Sequence, residues 1–202
     1  GVTLLLINME RKARSKGSLV KTLTTTRLVL RPLTERDFPE IAAMDADPDV
    51  MRYLAINSPV LTYEQALQKA PEMLDWPYPE GGGVWAIISK QTRAFLGWVE
   101  LGYLEDLSEV DFGYRLPQAF WGQGYATEAG RRLADHAFRD LLMGHLAAFV
   151  HPKNLASIRV TEKIGLSRSG VLKGSDVTFN RYVLSRDHYF ERFDHCSKCT
   201  VG

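Results

Sequence analysis

Two glycines two residues apart, Gly122 and Gly124, stand between a stretch with strand periodicity and a stretch with helix periodicity. In residues 118–129, Gln-Ala-Phe-Trp-Gly-Gln-Gly-Tyr-Ala-Thr-Glu-Ala, the chain passes through these glycines into a helix whose first amides lack intrahelical partners. Their partial positive charge favours an anion such as a pyrophosphate, and glycine lets the main chain approach it closely. The same spacing also serves as a plain tight turn. Two common phosphate patterns are absent: the dinucleotide fingerprint needs a third glycine where Thr127 stands, and the Walker loop needs a lysine that this stretch lacks.

The elements around this turn follow from periodicity. Residues 109–116 alternate, with Val110, Phe112, Tyr114 and Leu116 on one face and Glu109, Asp111, Gly113 and Arg115 on the other, and Pro117 ends the ladder. Downstream, Ala126, Ala129, Gly130, Leu133, Ala134, Ala137, Phe138 and Leu141 form one apolar helical stripe, while Thr127, Glu128, Asp135 and His136 fall on the polar side. Residues 84–89, 95–103 and 109–116 read as an antiparallel meander. Residues 145–150 form a strand separated from the third of these by a whole helix, so the two are parallel neighbours. An opening strand at 27–33 precedes a helix capped by Thr34 with Ile41, Ala42 and Met44 inward, and Thr62 with Gln65 caps another. Residues 167–172 and 177–186 close the sheet. The fold class is α/β (α+β), a mixed, mostly antiparallel sheet with flanking helices.

A second informative stretch runs from His151 to Gly165, where Asn154 can cap a helix with Ala156, Val160 and Ile164 inward and Gly165 at its end. His151 stands at a strand end beside a proline and is assigned no chemistry. Cys196 and Cys199 form a lone Cys-x-x-Cys beside His195, without the second pair a zinc site needs, and no metal is expected. Two cysteines in 202 residues suit a reducing cytoplasmic setting. The net charge of +1 gives no reason to invoke nucleic acid, and no apolar run reaches a membrane span. Near the N-terminus, Val2 to Ile7 precede rather than follow Arg11, Lys12 and Arg14, the wrong order for a secretory signal. Residues 1–25 are therefore read as an extension, 26–189 as one domain and 190–202 as a tail.

Residues 121–129, Trp-Gly-Gln-Gly-Tyr-Ala-Thr-Glu-Ala, closely resemble the acetyl-CoA-binding motif of the GNAT N-acetyltransferases, in the branch of RimJ/RimL-like ribosomal-protein N-terminal acetyltransferases. The superfamily pattern Gln/Arg-x-x-Gly-x-Gly/Ala falls on Trp121, Gly124 and Ala126; its first position departs from the pattern, which leaves more of the binding to main-chain amides. The resemblance implies a GNAT fold whose parallel strands splay apart to take pantetheine between them. It implies cofactor contact by Tyr114, Arg115 and Leu116, chiefly through backbone, and by Trp121, Gly122, Gln123, Gly124, Tyr125, Ala126 and Thr127. Asn154-x-x-Ser157 followed by Glu162-Lys-x-Gly165 resembles the second cofactor motif, in which the asparagine holds the ligand arm and the serine lies near the thioester sulfur. The opening strand and paired helices, residues 28–54, would form one wall of the acceptor pocket.

The implied reaction moves an acetyl group from acetyl-CoA to a primary amine, on a protein N-terminus or a small molecule, by direct attack in a ternary complex. An α-amine of pKa about 8 costs only about 1.4 kcal/mol to present neutral at pH 7, against about 4.6 kcal/mol for a lysine near 10.4. Asp111 and Glu100, on central strands, can accept the amine proton, and Asp111 aligns with a carboxylate common in the branch; either can instead bind the cationic amine, or simply be a solvated strand-face charge. A main-chain amide near residues 114–116 would meet the oxyanion, and Ser157 can return a proton to sulfur. The alternatives are a non-catalytic acyl-CoA sensor and an interaction domain with a vacant cleft. Exposed strand edges admit a homodimer.

Overall fold

A computed structural model describes residues 20–54, 59–76, 78–104, 107–174 and 176–194. The segment 1–19 and the Cys196/Cys199 pair lie outside the described residues.

Eight strands form one sheet in the order β1-β2-β3-β4-β5-β6-β8-β7. Strands β1 (Leu23–Thr24), β2 (Leu28–Pro32), β3 (Gly83–Ser89), β4 (Phe95–Leu104) and β5 (Glu109–Arg115) are antiparallel throughout, with Trp98 opposite Arg115 and Leu104 opposite Glu109 in the β4–β5 ladder. The crossover from β5 to β6 (His145–Val150) runs through α4 (Tyr125–Asp135) and makes the pair parallel. One register pair, Asp111 with Ala147, holds β5 to β6, and beyond it the strands part. β7 (Ser167–Lys173) and β8 (Thr178–Ser185) form a hairpin, with β8 inside against β6 and β7 at the edge.

Each sheet face has its own cover. Trp85, Ile87, Val99, Leu101 and Phe112 pack with Ala129, Leu133 and Ala137 of α4 and with Ile164 of α5 (Leu155–Ile164). On the opposite face Val84, Ala86, Ile88 and Trp98 meet Phe38, Ile41 and Met44 of α1 (Phe38–Asp45). The short helices α2 (Pro48–Met51) and α3 (Tyr63–Lys69) complete this layer: Asp47 caps the first, accepting from Asp49 N–H at 2.9 Å, and at the second Thr62 and Gln65 form the reciprocal box the sequence predicts. The last helix, α6 (Arg186–Asp194), returns to α4, where the Tyr189 hydroxyl donates to Asp135 at 2.8 Å. Among the described residues no helix is long and apolar enough to cross a membrane.

Two expected orientations differ. His136 is 2 % exposed, because α4 widens into a π turn at His136–Asp140 that rotates its ring toward Trp85. Ala156 is exposed, and α5 instead turns Val160, Thr161 and Ile164 inward. The helix begins where Asn154 caps it, and in its first turn Leu155 and Ala156 face outward while Ser157 and Ile158 turn toward the sheet.

Candidate active site

The turn between β5 and α4 is held open by left-handed backbone at both glycines, with φ +72° at Gly122 and +82° at Gly124. Nothing lies within 4 Å of where a Cβ on Gly122 would sit, so the main chain there faces open space that an anion can enter. From outside, Arg27 braces the turn. Its Nε donates to Glu128 Oε2 at 2.6 Å, its Nη1 donates to the Gln123 carbonyl at 3.1 Å, and its guanidinium lies 4.6 Å from the centre of the Tyr125 ring. Glu128 also accepts from the Thr25 hydroxyl at 2.5 Å and from Arg27 N–H at 2.9 Å. Partial burial alone would raise the Glu128 pKa, but these hydrogen bonds and the Arg27 charge together hold it below the usual range. Arg27 was not singled out from the sequence, because nothing in its own neighbourhood places it beside a turn some hundred residues away.

Trp121 is 48 % exposed and its indole N–H donates to the Leu116 carbonyl at 2.7 Å, closing the turn across Pro117. Gln123 donates from its side chain to the Ala119 carbonyl at 2.8 Å. Ala126 is buried against the core, and Thr127 follows it in the first turn of α4. Gln118 reaches across to both Asp47 oxygens at 3.0 Å, joining the turn to the start of α2.

Across the opening, Asn154 Oδ1 accepts from Ser157 N–H at 3.1 Å, which sets the N-terminus of α5 beside the end of β6. Tyr114 and Ser157, expected to share the ligand from two separate motifs, are hydrogen-bonded to one another. Burial raises the Tyr114 pKa to about 12 against the smaller opposing effect of that bond, so the phenol stays protonated. The end of β5 and the cap of α5 thus meet across the gap between β5 and β6.

The carboxylates lie on the sheet face away from α4. Glu100 stands opposite Gly113 and Asp111 opposite Gly102, which makes the two acids diagonal neighbours on adjacent strands. Both are buried, Asp111 at 0 % exposure and Glu100 at 3 %, so neither is a solvated strand-face charge. The Tyr78 phenol is pushed well above its ordinary pKa, first by burial and then by the charge of Glu100. Beside them Arg115 is buried too, paired with Asp45 at the end of α1 and stacked 5.2 Å from the Trp98 ring. The Arg115 side chain therefore packs between Asp45 of α1 and Trp98, while its backbone remains on the strand that borders the gap.

A cleft opens where these parts converge, lined by Tyr53, Leu54, Phe149, Val150, His151, Asn154, Ser157 and Phe179. It joins the chain after α2 to the cap of α5. No group of three His, Cys, Asp or Glu side chains among the described residues is placed to hold a metal.

A mixed sheet with one splayed parallel pair, a glycine turn at its mouth and a helix cap opposite is the arrangement the motifs imply, and residues 27–167 match the acetyltransferase (GNAT) domain family. The chain belongs to this family. This acetyltransferase is 33% identical over 161 residues to the "uncharacterized protein YkkB" of Bacillus subtilis strain 168, covering 75% of this chain and 88% of that one. It is 27% identical over 165 residues to the "uncharacterized N-acetyltransferase p20" of Bacillus licheniformis, covering 81% and 92%. In fold it resembles the structure of AAC(6')-Ib in complex with ribostamycin and coenzyme A, with a TM-score of 0.66, 20% identity and coverage of 83% and 97%. The protein is an N-acetyltransferase. GNAT acetyltransferases draw their acetyl group from acetyl-CoA, and the open glycine turn fits a pyrophosphate.

Proposed function

We propose that this acetyltransferase transfers the acetyl group of acetyl-CoA to a primary amine by direct attack, with donor and acceptor bound together. The supporting observation is the single Asp111–Ala147 register pair, beyond which β5 and β6 part between the glycine turn and Ser157. Main-chain amides of residues 122–127 take the pyrophosphate, and Trp121 fixes the turn through the Leu116 carbonyl. Pantetheine runs along the unpaired edge of residues 114–116 and meets Asn154.

Asp111 is the preferred base and Glu100 the second. Both lie on the acceptor side of the sheet, and either takes the amine proton directly or through water. The amine nitrogen bonds to the thioester carbon, the carbon–sulfur bond breaks, and the sulfur leaves as thiolate. A main-chain amide near Tyr114 steadies the oxyanion as it develops. Ser157, held beside the protonated Tyr114 phenol by their hydrogen bond, returns a proton to the departing sulfur. A thiol of pKa about 8.5 is already a fair leaving group, so this last contact contributes less than the base.

Thiol release measured for Asp111→Asn, Glu100→Gln and Ser157→Ala, beside their acetyl-CoA affinities, tests these roles. Asp111→Asn should lower turnover about a hundredfold or more, and Ser157→Ala by about one to two orders of magnitude. Acetyl-CoA affinity should hold in Asp111→Asn. Full turnover in both carboxylate variants would remove the base from the mechanism.

A further inference from the structure

Asp111, Gly113 and Arg115 occupy alternate positions of β5, on the sheet face that α1 covers. The Glu100 carboxyl reaches over from β4 and lies on Gly113, where an added Cβ would meet Oε1 at 2.6 Å and Cγ at 3.0 Å. Glu100 therefore fills the step between Asp111 and Arg115, about 7 Å along the strand from each. All three charged side chains are buried.

The neighbouring cations on this face are closed pairs. Arg31 of β2 meets Asp37 through both terminal nitrogens at 2.7 and 2.6 Å, and Arg181 of β8 meets both Glu109 oxygens through Nε at 3.1 Å. Arg115 is open by comparison. Its Nη1 donates to Asp45 of α1, its guanidinium lies 5.2 Å from the Trp98 ring centre, and its buried Nε has no hydrogen-bond partner among the described residues. Its charge is thus only partly neutralised and is felt by the carboxyl beside it. The rest of the surroundings adds little charge: β3 and β6 present Val84 and Ala147 opposite Glu100 and Asp111, and the Tyr78 hydroxyl, protonated, donates to the Met73 carbonyl at 2.6 Å. Glu40 of α1, Asp49 and Arg52 at α2, Lys69 of α3 and His145 of β6 are exposed, and desolvation, then the Lys153 charge, keep His151 neutral near pH 7.

Resting on the acetyltransferase reading, we propose that Arg115 is a positioning residue for acetyl transfer: its side chain, anchored to α1 by Asp45, holds Glu100 as the standing anion over Gly113 and leaves the proton transfer to Asp111. A cation beside one member of a carboxylate pair favours ionisation of that member, and the anion so fixed makes its neighbour the more basic of the two. Glu100 lies one step from Arg115 and Asp111 lies two, so the bias has one direction. Glu100 meets the charge of the arriving ammonium. Asp111 takes the proton as nitrogen bonds to the thioester carbon and the carbon–sulfur bond breaks, the sulfur leaving as thiolate. The Arg115 side chain touches neither reactant and acts through Glu100.

The test is a carbon-13 titration of the Glu and Asp side-chain carboxyls in the full chain, with Glu100→Gln and Asp111→Asn assigning the two signals. Glu100 should titrate below Asp111. At an effective dielectric constant of about 20, loss of a unit charge about 7–10 Å away moves a carboxyl midpoint by about one to two pH units. Arg115→Met should raise the Glu100 midpoint by about that much, Asp45→Asn should lower it by a smaller step, and Arg115→Lys should restore it. A pair that merely packs α1 onto the sheet gives no such opposite shifts. Thiol release from acetyl-CoA with glycinamide as acceptor, followed against pH on the same proteins, should show the acid limb of kcat/KM moving up in Arg115→Met and down in Asp45→Asn. Asp111 titrating below Glu100, or an unmoved Glu100 midpoint in Asp45→Asn, overturns the proposal and leaves acetyl transfer intact. Asp45→Asn keeps Arg115 and its Trp98 contact, so this arm decides even where Arg115→Met fails to fold. Shifted midpoints with an unshifted limb overturn the catalytic reading of both carboxylates instead.

Discussion

Glu100 lies across Gly113 so closely that a methyl group added there would come within 2.6 Å of its Oε1. The glycine thereby sets where that carboxylate rests. Gly113→Ala should displace the Glu100 side chain, cost about 1–3 kcal/mol in stability and lower turnover, read by thermal melting and thiol release side by side. Unchanged turnover in a folded Gly113→Ala protein would mean that the position of Glu100 is immaterial. At this scale the sequence was a partial guide. Asp111 and Glu100 were legible as candidates from residue type and strand position. Their burial was not, because alternation along one strand separates faces without saying what covers each, and here α1 to α3 cover the face that carries the acids. His136 was misplaced for a related reason: a π turn shifts the helical phase, and no residue type announces it. The ring contacts of His151 were not legible either, because Tyr53 and Phe179 reach it from α2's end and from β8.

The glycine turn and its brace form the next level. Gly122 and Gly124 both hold positive φ, yet their surroundings differ, since a Cβ on Gly122 meets nothing and one on Gly124 would stand 3.4 Å from Arg27 Nη2. Gly122→Ala and Gly124→Ala therefore each carry the backbone penalty of about 1–2 kcal/mol, and the added Cβ at 124 makes only an ordinary contact with Arg27. The expected outcome is a similar loss of melting temperature in both, whereas Arg27→Ala, which removes the brace on Gln123 and Glu128 and keeps both glycines, should lower acetyl-CoA affinity. Unchanged affinity in a folded Arg27→Ala protein would detach the brace from ligand binding. Strand, turn and helix were readable here because periods of two and of three to four meet at the glycines. The brace was not, being a contact between β2's start and α4 that only the folded sheet creates.

For the whole molecule, the order of the sheet matters more than any single contact. The crossover through α4 makes β5 and β6 parallel, β8 rather than β7 pairs with β6, and β5 and β6 share a single register pair among the described residues. The parallel pair was legible from the helix between its strands, and the closing hairpin from its alternation, but which hairpin strand lies inside had no local signature. The cleft beside Ser157 is the least legible part, because its lining comes from α2's end, β6, α5 and β8, which no contiguous motif collects. The central claim is that the gap between β5 and β6 receives acetyl-CoA. Calorimetric titration of the purified protein with acetyl-CoA, with adenosine diphosphate run beside it, tests it most directly. Micromolar binding that weakens when pantetheine is removed is the predicted result; no heat of binding from acetyl-CoA with a fully folded protein would contradict it.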